Sequence, residues 1–240
     1  MLNGYVAIVT GASAGIGEAT VRRLCAQGAK VVATARREER LAALVAEFGA
    51  DAVVPVAADV RDPAAATRMV EAAVDVFGRL DGLIANAGMG YYGGIMDHDD
   101  ARLTEMLETN IHGTIWPIRA AVPQMRAQGG GDIVIISSVA GTTARGNEAV
   151  YAATKHAQMG LAVGLDRELF REGIRVTALQ PGGVVTEFAR QEGGGRTATT
   201  PEFADMLSAD DVADAVAFVL NQPRTVRTLS LRLRGATEAE

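Results

Sequence analysis

Short apolar runs alternate with helix-forming runs along almost the whole chain, and this alternation restricts the fold more than any other feature. Seven strands are predicted: Tyr5–Thr10, Lys30–Ala35, Ala52–Ala57, Leu80–Ala85, Asp132–Ile136, Ile174–Leu179 and Thr225–Leu233. Helices are predicted between them at Glu18–Gln27, Glu38–Phe48, Pro63–Phe77, Ala101–Met125, Ala149–Phe170 and Asp210–Leu220, with Pro117 and Pro123 interrupting the long one. Strand–helix–strand alternation folds most simply as a doubly wound parallel sheet with right-handed crossovers. Hydrophobic residues make up 48% of the sequence but aromatics only 5%, so Val, Ile, Leu and Ala must fill the core. That composition suits a parallel sheet buried under close-packed helices. No repeat or linker divides the 240 residues, which read as one α/β domain over 1–240.

Several functional classes are disfavoured at once. A net charge of -6 speaks against a nucleic-acid footprint. No apolar run approaches the ~20 residues of a membrane span, and no secretory leader is expected before the first strand. A single Cys25 forbids an internal disulfide, suits a reducing cytoplasm, and reads as a small buried apolar side chain. Asp97-His98-Asp99-Asp100 has metal-ligand residue types, but no second cluster completes a ligand set. It reads instead as an acidic helix N-terminus with a solvent-exposed His98, and no metal is expected.

The first strand runs into Gly11-Ala12-Ser13-Ala14-Gly15-Ile16-Gly17 and then a helix. Glycines here let main-chain N–H groups approach a pyrophosphate, and the helix N-terminus adds positive potential. Glu18-Ala19 stands where a triphosphate P-loop would carry Lys-Ser/Thr, so a dinucleotide is the better fit. The second strand ends at Ala35, without the acid that binds a ribose 2′-hydroxyl, and Arg36-Arg37 follow. Guanidinium groups there favour a 2′-phosphate, hence NADP(H) over NAD(H).

Tyr151 and Lys155 lie four residues apart on a predicted helix, so both project from one face. The ammonium is expected to favour the phenolate and to bring the phenol toward neutrality, where it can exchange a proton with an alcohol or ketone oxygen. The fifth strand delivers Ser137-Ser138 at its C-terminal end, the edge on which open α/β sheets bind ligands. Residues 187–208 have no clean period and carry Phe188, Phe203, Met206 and Leu207, which suggests a substrate lid. Candidate pocket residues are Met89, Tyr91, Tyr92, Val139, Thr142, Arg145, Glu148, Phe188 and Phe203, with Glu148 also placed to cap the Tyr151 helix.

Taken in order, Thr10-Gly11-x-x-x-Gly15-Ile16-Gly17, Asn86-Ala87-Gly88, Asn110, Ser138, Tyr151-x-x-x-Lys155 and Pro181-Gly182-x-Val184-x-Thr186 make the chain closely resemble the short-chain dehydrogenase/reductase family over nearly its whole length. The resemblance implies a Rossmann-type sheet of order 3-2-1-4-5-6-7 and a homotetramer or homodimer joined partly through the helices around Asn110 and Tyr151. It implies Tyr151 as general acid/base, Lys155 on the nicotinamide ribose, Ser138 rather than Ser137 on the substrate oxygen, and Asn110 holding a water that links Lys155 to solvent. Gly11, Ser13, Gly15, Ile16 and Gly17 are implied at the pyrophosphate, Asp59 and Val60 at the adenine, and Asn86 and Gly88 at the adenosine ribose. Pro181, Gly182, Val184 and Thr186 are implied around the carboxamide. The expected substrate is a small carbonyl compound or secondary alcohol; a non-catalytic NADP(H)-binding regulator on the same fold is the alternative. Two departures are visible. Ala85 replaces the first Asn of the usual Asn-Asn-Ala-Gly, and Ala14 stands where many NADP-preferring members carry a base, leaving cofactor choice to Arg36 and Arg37.

Overall fold

In a computed structural model that describes residues 1–190 and 206–237, seven strands form one parallel sheet. They are β1 (Val6–Thr10), β2 (Lys30–Ala35), β3 (Val53–Ala57), β4 (Gly82–Ala85), β5 (Gly131–Ile136), β6 (Ile174–Pro181) and β7 (Ser230–Leu233). Their order is β3-β2-β1-β4-β5-β6-β7, as expected from the resemblance. The helices are α1 (Gly15–Ala26), α2 (Glu38–Phe48), α3 (Pro63–Phe77), α4 (Asp100–Leu107), α5 (Gly113–Ala127), α6 (Ala149–Leu169) and α7 (Ala209–Leu220).

Alternation along each strand sends successive side chains to opposite faces. Val6 and Ile8 of β1 pack with Met69 of α3, Ile118 and Met125 of α5, and Leu169 of α6. Ala7 and Val9 pack on the other face with Leu24 of α1, Leu41 and Leu44 of α2, and Val216 of α7. β1, β4, β5 and β6 are buried throughout, which explains why their sequences are continuous apolar runs. Helix starts follow local chemistry. Asp62 caps α3 ahead of Pro63, Asp99 caps α4, and Ser208 and Asp211 form a reciprocal capping box on α7.

Element ends shift by a few residues from the sequence expectation, and three of the differences have a side chain as their cause. β4 begins at Gly82 rather than Leu80, because both main-chain groups of Leu80 are taken by the Gln128 carboxamide. β7 begins at Ser230 rather than Thr225. The carbonyls of Val226 and Thr228 accept instead from Arg175 and from the Thr177 hydroxyl. The long fourth helix is divided by a π turn at Glu108–His112, whereas both prolines sit inside the continuous α5. The division falls at Asn110 because its side chain bonds outward to the main chain of Met89 and to Thr154.

At the opposite edge of the sheet from the strand C-termini, Asp132 is 3% exposed and accepts from Arg175 (2.6 Å), Arg224 (3.0 Å) and the Tyr5 hydroxyl (2.9 Å). Burial, followed by the Asp132 charge, pushes the Tyr5 phenol well above its ordinary pKa. Removing the carboxylate would leave the Arg175 guanidinium buried without its counter-charge. Asp132→Ala is expected to lower stability by about 3 kcal/mol, read as a lower denaturant midpoint at unchanged slope.

Candidate active site

Strands β1 and β4 end side by side, and their ends are stapled together. The Thr10 hydroxyl accepts from the N–H groups of Asn86 and Ala87, both at 3.0 Å, and the Asn86 carboxamide donates to the Thr10 carbonyl at 2.9 Å. The staple brings the glycine turn so close that side chains are excluded. Gly11 has φ +67°, and a Cβ there would lie 2.9 Å from both Ala87 Cα and Asn86 Nδ2. Gly15 has φ +55°, and a Cβ there would lie 2.9 Å from Thr186 Cγ2. Such a turn at the start of α1 presents main-chain N–H groups to an anion.

A cavity of about 560 Å³ opens over this turn. One end is lined by Ala35, Arg36, Arg37, Asp59 and Val60; Gly11, Ser13, Gly15, Ile16, Asn86 and Gly88 line its middle. The other end is lined by Met89, Tyr92, Ser138, Glu148, Tyr151, Lys155 and Phe188, with Pro181, Gly182, Val184 and Thr186 along one side. Its length, glycine floor and flanking arginines fit a dinucleotide. Gly17 alone of the expected turn residues does not line it. Gly17 is buried where α1 crosses the Gly11 carbonyl, and its place is packing.

At the inner end the two serines separate. Ser137 donates to the Lys155 carbonyl at 3.1 Å and so ties β5 to α6. The Ser138 hydroxyl accepts from Ala140 N–H at 3.1 Å, lines the cavity, and hydrogen-bonds Tyr151. Tyr151 is 6% exposed, with the rings of Tyr92 and Phe188 at centroid distances of 5.3 and 6.0 Å. Lys155 Nζ lies 5.7 Å from the Tyr151 ring centroid and donates to the Ile136 carbonyl and to Gln158 Oε1.

The electrostatics differ from the sequence expectation. Burial, reinforced by Tyr92, raises the Tyr151 phenol well above its ordinary pKa, and the Ser138 hydrogen bond only partly offsets this. Burial also lowers the Lys155 ammonium to about 7. Desolvation disfavours both charged forms, so Lys155 alone does not acidify the phenol.

Asn110 is fully buried, and its carbonyl accepts from the Thr114 hydroxyl (2.8 Å) and from Gln158 Nε2 (3.0 Å). Gln158 in turn accepts from Lys155, so side-chain hydrogen bonds join Asn110 to Lys155 through Gln158.

The two arginines after β2 behave differently from each other. Arg36 is 68% exposed along its side chain, with Glu105 3.8 Å away. Arg37 donates to the Ser13 hydroxyl and pairs with Glu187 at 2.8 Å; Arg40 reaches the same carboxylate at 3.3 Å. Asp59 is held below its ordinary pKa mainly by hydrogen bonding to Arg61. Arg40, Arg61, Glu187 and Gln158 were missed from sequence, because their roles depend on partners 2 to 150 residues away.

Of the other candidates, Tyr91 turns away to donate to Glu105 (3.2 Å), and Thr142 bonds Val139 and Gln180. Glu148 does not cap α6 with its side chain; it accepts from Arg145 N–H at 2.9 Å. His98 is not a free surface histidine, since Nε2 meets the Tyr92 carbonyl at 3.1 Å and Nδ1 is buried. Of the expected lid over 187–208, Glu187–Arg190 forms a short 3-10 turn, Val184 bridges to Leu207, and residues 191–205, including Phe203, lie outside the described residues. No group of three potential metal ligands occurs among the described residues.

Residues 5–196 match the short-chain dehydrogenase family, and the chain belongs to it. An uncharacterized oxidoreductase of Staphylococcus haemolyticus is 35% identical over 234 residues, 97% of this chain and 98% of that protein. Among solved structures, 3-ketoacyl-(acyl-carrier-protein) reductase from Brucella melitensis, complexed with NADH, superposes with a TM-score of 0.90 at 30% identity, covering 98% of this chain and 99% of that one. Serine dehydrogenase complexed with NADP+ gives 0.90 at 32%, covering 98% and 96%. The chain is an oxidoreductase of this family, and those two similar structures hold NADH and NADP+. No described helix is long and apolar enough to cross a membrane.

Lys155 gives the apo site a signature in stability. Its pKa falls on folding from 10.5 to about 7, so above pH 7 the unfolded chain holds a proton that the folded chain releases. Stability therefore rises with pH in that window. Between pH 7 and 9 wild type should gain roughly 2 kcal/mol relative to Lys155→Met, a comparison from which Cys25, raised to about 11 by burial in both proteins, cancels. Denaturation curves across that range measure the difference.

Proposed function

We propose that the protein transfers a hydride between NADP(H) and a small carbonyl compound or secondary alcohol, with Tyr151 as the general acid or base. The observation that carries this reading is the convergence of Ser138, Tyr151 and Lys155 at the inner end of a cavity whose outer end is flanked by Arg36 and Arg37. A bound nicotinamide supplies the hydride and, when oxidised, a positive charge. Ser138 and Tyr151 hold the substrate oxygen, and the Tyr151 proton passes to that oxygen in reduction or is restored from it in oxidation. Lys155 would hold the cofactor's ribose and Thr186 with Val184 its carboxamide, while Asn110 fixes the Met89 main chain at the cavity rim. Met89, Tyr92 and Phe188 exclude water around the reacting carbon.

The phenol is too basic in the chain alone, so the charge of the oxidised cofactor is required for alcohol oxidation. Reduction needs the phenol protonated, and burial favours that form. Tyr151→Phe is expected to lower NADPH-dependent reduction of a carbonyl panel by at least ~10³-fold while NADPH still binds. Undiminished turnover in that variant, or no turnover in wild type across the panel, would favour the non-catalytic regulator.

Preference for NADPH rests on Arg37 and Arg40, with Arg36 at the edge. A 2′-phosphate meets guanidinium groups already gathered by Glu187. Arg37→Ala should reduce kcat/KM with NADPH about 10- to 100-fold and leave NADH within a few-fold. An NADH preference in wild type overturns this assignment. The cavity's mixture of aromatic rings with Arg145 and Glu148 suits a medium-sized, partly polar carbonyl compound. We place the protein in a reducing cytoplasm, as a homotetramer or homodimer that uses the α5 and α6 surfaces.

A further inference from the structure

Lys155 and Lys30 are the two lysines of the chain. The Lys155 ammonium sits where β5, α6 and the π turn meet, and the residue is 4% exposed. An ammonium has three hydrogens to donate. One goes to the Ile136 carbonyl at 3.1 Å and another to Gln158 Oε1 at 3.0 Å. Gln158 is itself 1% exposed. Its Nε2 donates to the Asn110 carbonyl at 3.0 Å and to the Thr114 hydroxyl at 2.8 Å, and that hydroxyl donates onward to the same carbonyl.

This arrangement admits one orientation of the carboxamide. Turned over, it would set N–H groups against an ammonium and an oxygen against a carbonyl. The donors and acceptors of Gln158 are thus matched from both sides, and the residue runs from the reaction centre to the break in the α4–α5 helix. A valine or leucine at this position on α6 would fill the space and make none of these bonds.

We propose that Gln158 is a positioning residue for Lys155, fixing the ammonium beside Tyr151 and tying it to the Asn110 turn by side-chain hydrogen bonds. The significance of the position rests on the reading of Lys155 as part of the reaction centre. A carboxamide keeps its own hydrogens, so this link sets the location and charge of the ammonium rather than conducting protons. The Tyr151 phenol ring lies 5.7 Å from the Lys155 ammonium, with Tyr92 from the β4–α4 connection and Glu148 ahead of α6 acting on that phenol. Gln158 itself carries no charge, and it favours the charged lysine through a hydrogen bond alone.

Two lysines make the test direct. Full-length protein labelled with ¹³Cε-lysine gives two side-chain signals, and an NMR titration reads each midpoint without cofactor or substrate. In Gln158→Leu the Lys155 midpoint should fall by at least about one pH unit, a tenfold change in its acid constant, because a hydrogen bond to the charged form is lost. In the near-isosteric Gln158→Glu it should rise by a similar amount, and Lys30 should not move in either variant. Melting curves report any loss of packing separately. If Gln158→Leu does not fold, Gln158→Glu decides alone. An unmoved Lys155 midpoint in a folded variant overturns the proposal and leaves Gln158 as a tie between helices. A shifted midpoint in a protein that reduces no carbonyl compound upholds the positioning role and refutes the reaction assigned above.

Discussion

Burying a positive charge at the centre of a small domain is the demand around which this structure is arranged. A lone ammonium in apolar surroundings costs several kcal/mol unless its hydrogens find acceptors. Lys155 finds them in the last carbonyl of β5 and in a carboxamide one turn along its own helix. Both acceptors need a precise meeting of β5, α6 and the π turn, and Ser137 and Asn110 hold that meeting from either side. Core packing on the two faces of the sheet brings the elements together. The polar groups at the seam decide their spacing and register.

The fold was legible because its evidence is local. Strand, glycine turn and helix are each written in a few consecutive residues, whereas the order of the strands followed from the family resemblance and not from the alternation. The glycine turn was legible too, since a φ of +67° at Gly11 and the closeness of Asn86 leave few residue types possible. Element ends were less accessible. Gln128 claims Leu80, and Arg175 with Thr177 claims the carbonyls before β7. Each of those bonds joins residues far apart in the chain. The helix breaks at Asn110, whereas the prolines seven and thirteen positions later were the obvious signal and proved compatible with α5.

The site was legible in its residue types and not in its electrostatics. Tyr151, Ser138 and Lys155 meet as their spacing implied; both serines line the cavity, but the Ser137 hydroxyl is engaged by the Lys155 carbonyl. Their protonation behaviour depends on how dry the surroundings are, and no spacing conveys that. A lysine four residues from a tyrosine suggests an acidified phenol. The packing of Tyr92, Phe188 and the strand ends instead leaves a site in which both neutral forms are favoured. Gln158 escaped notice because an isolated Gln on a helix resembles any surface residue until its neighbours are known.

Glu187 and Phe188 are consecutive, yet they serve opposite ends of the cavity. The carboxylate neutralises Arg37 and Arg40, while the ring lies against Tyr151. An anion arriving at the arginines displaces a tethered counterion rather than a dissolved one, so its binding should be less sensitive to ionic strength than three exposed guanidinium groups would suggest. The displaced carboxylate is one peptide bond from the wall of the substrate chamber. On the proposed reading of Arg37 as a cofactor contact, cofactor choice and substrate shape would be coupled, and redesign at Arg37 should disturb both.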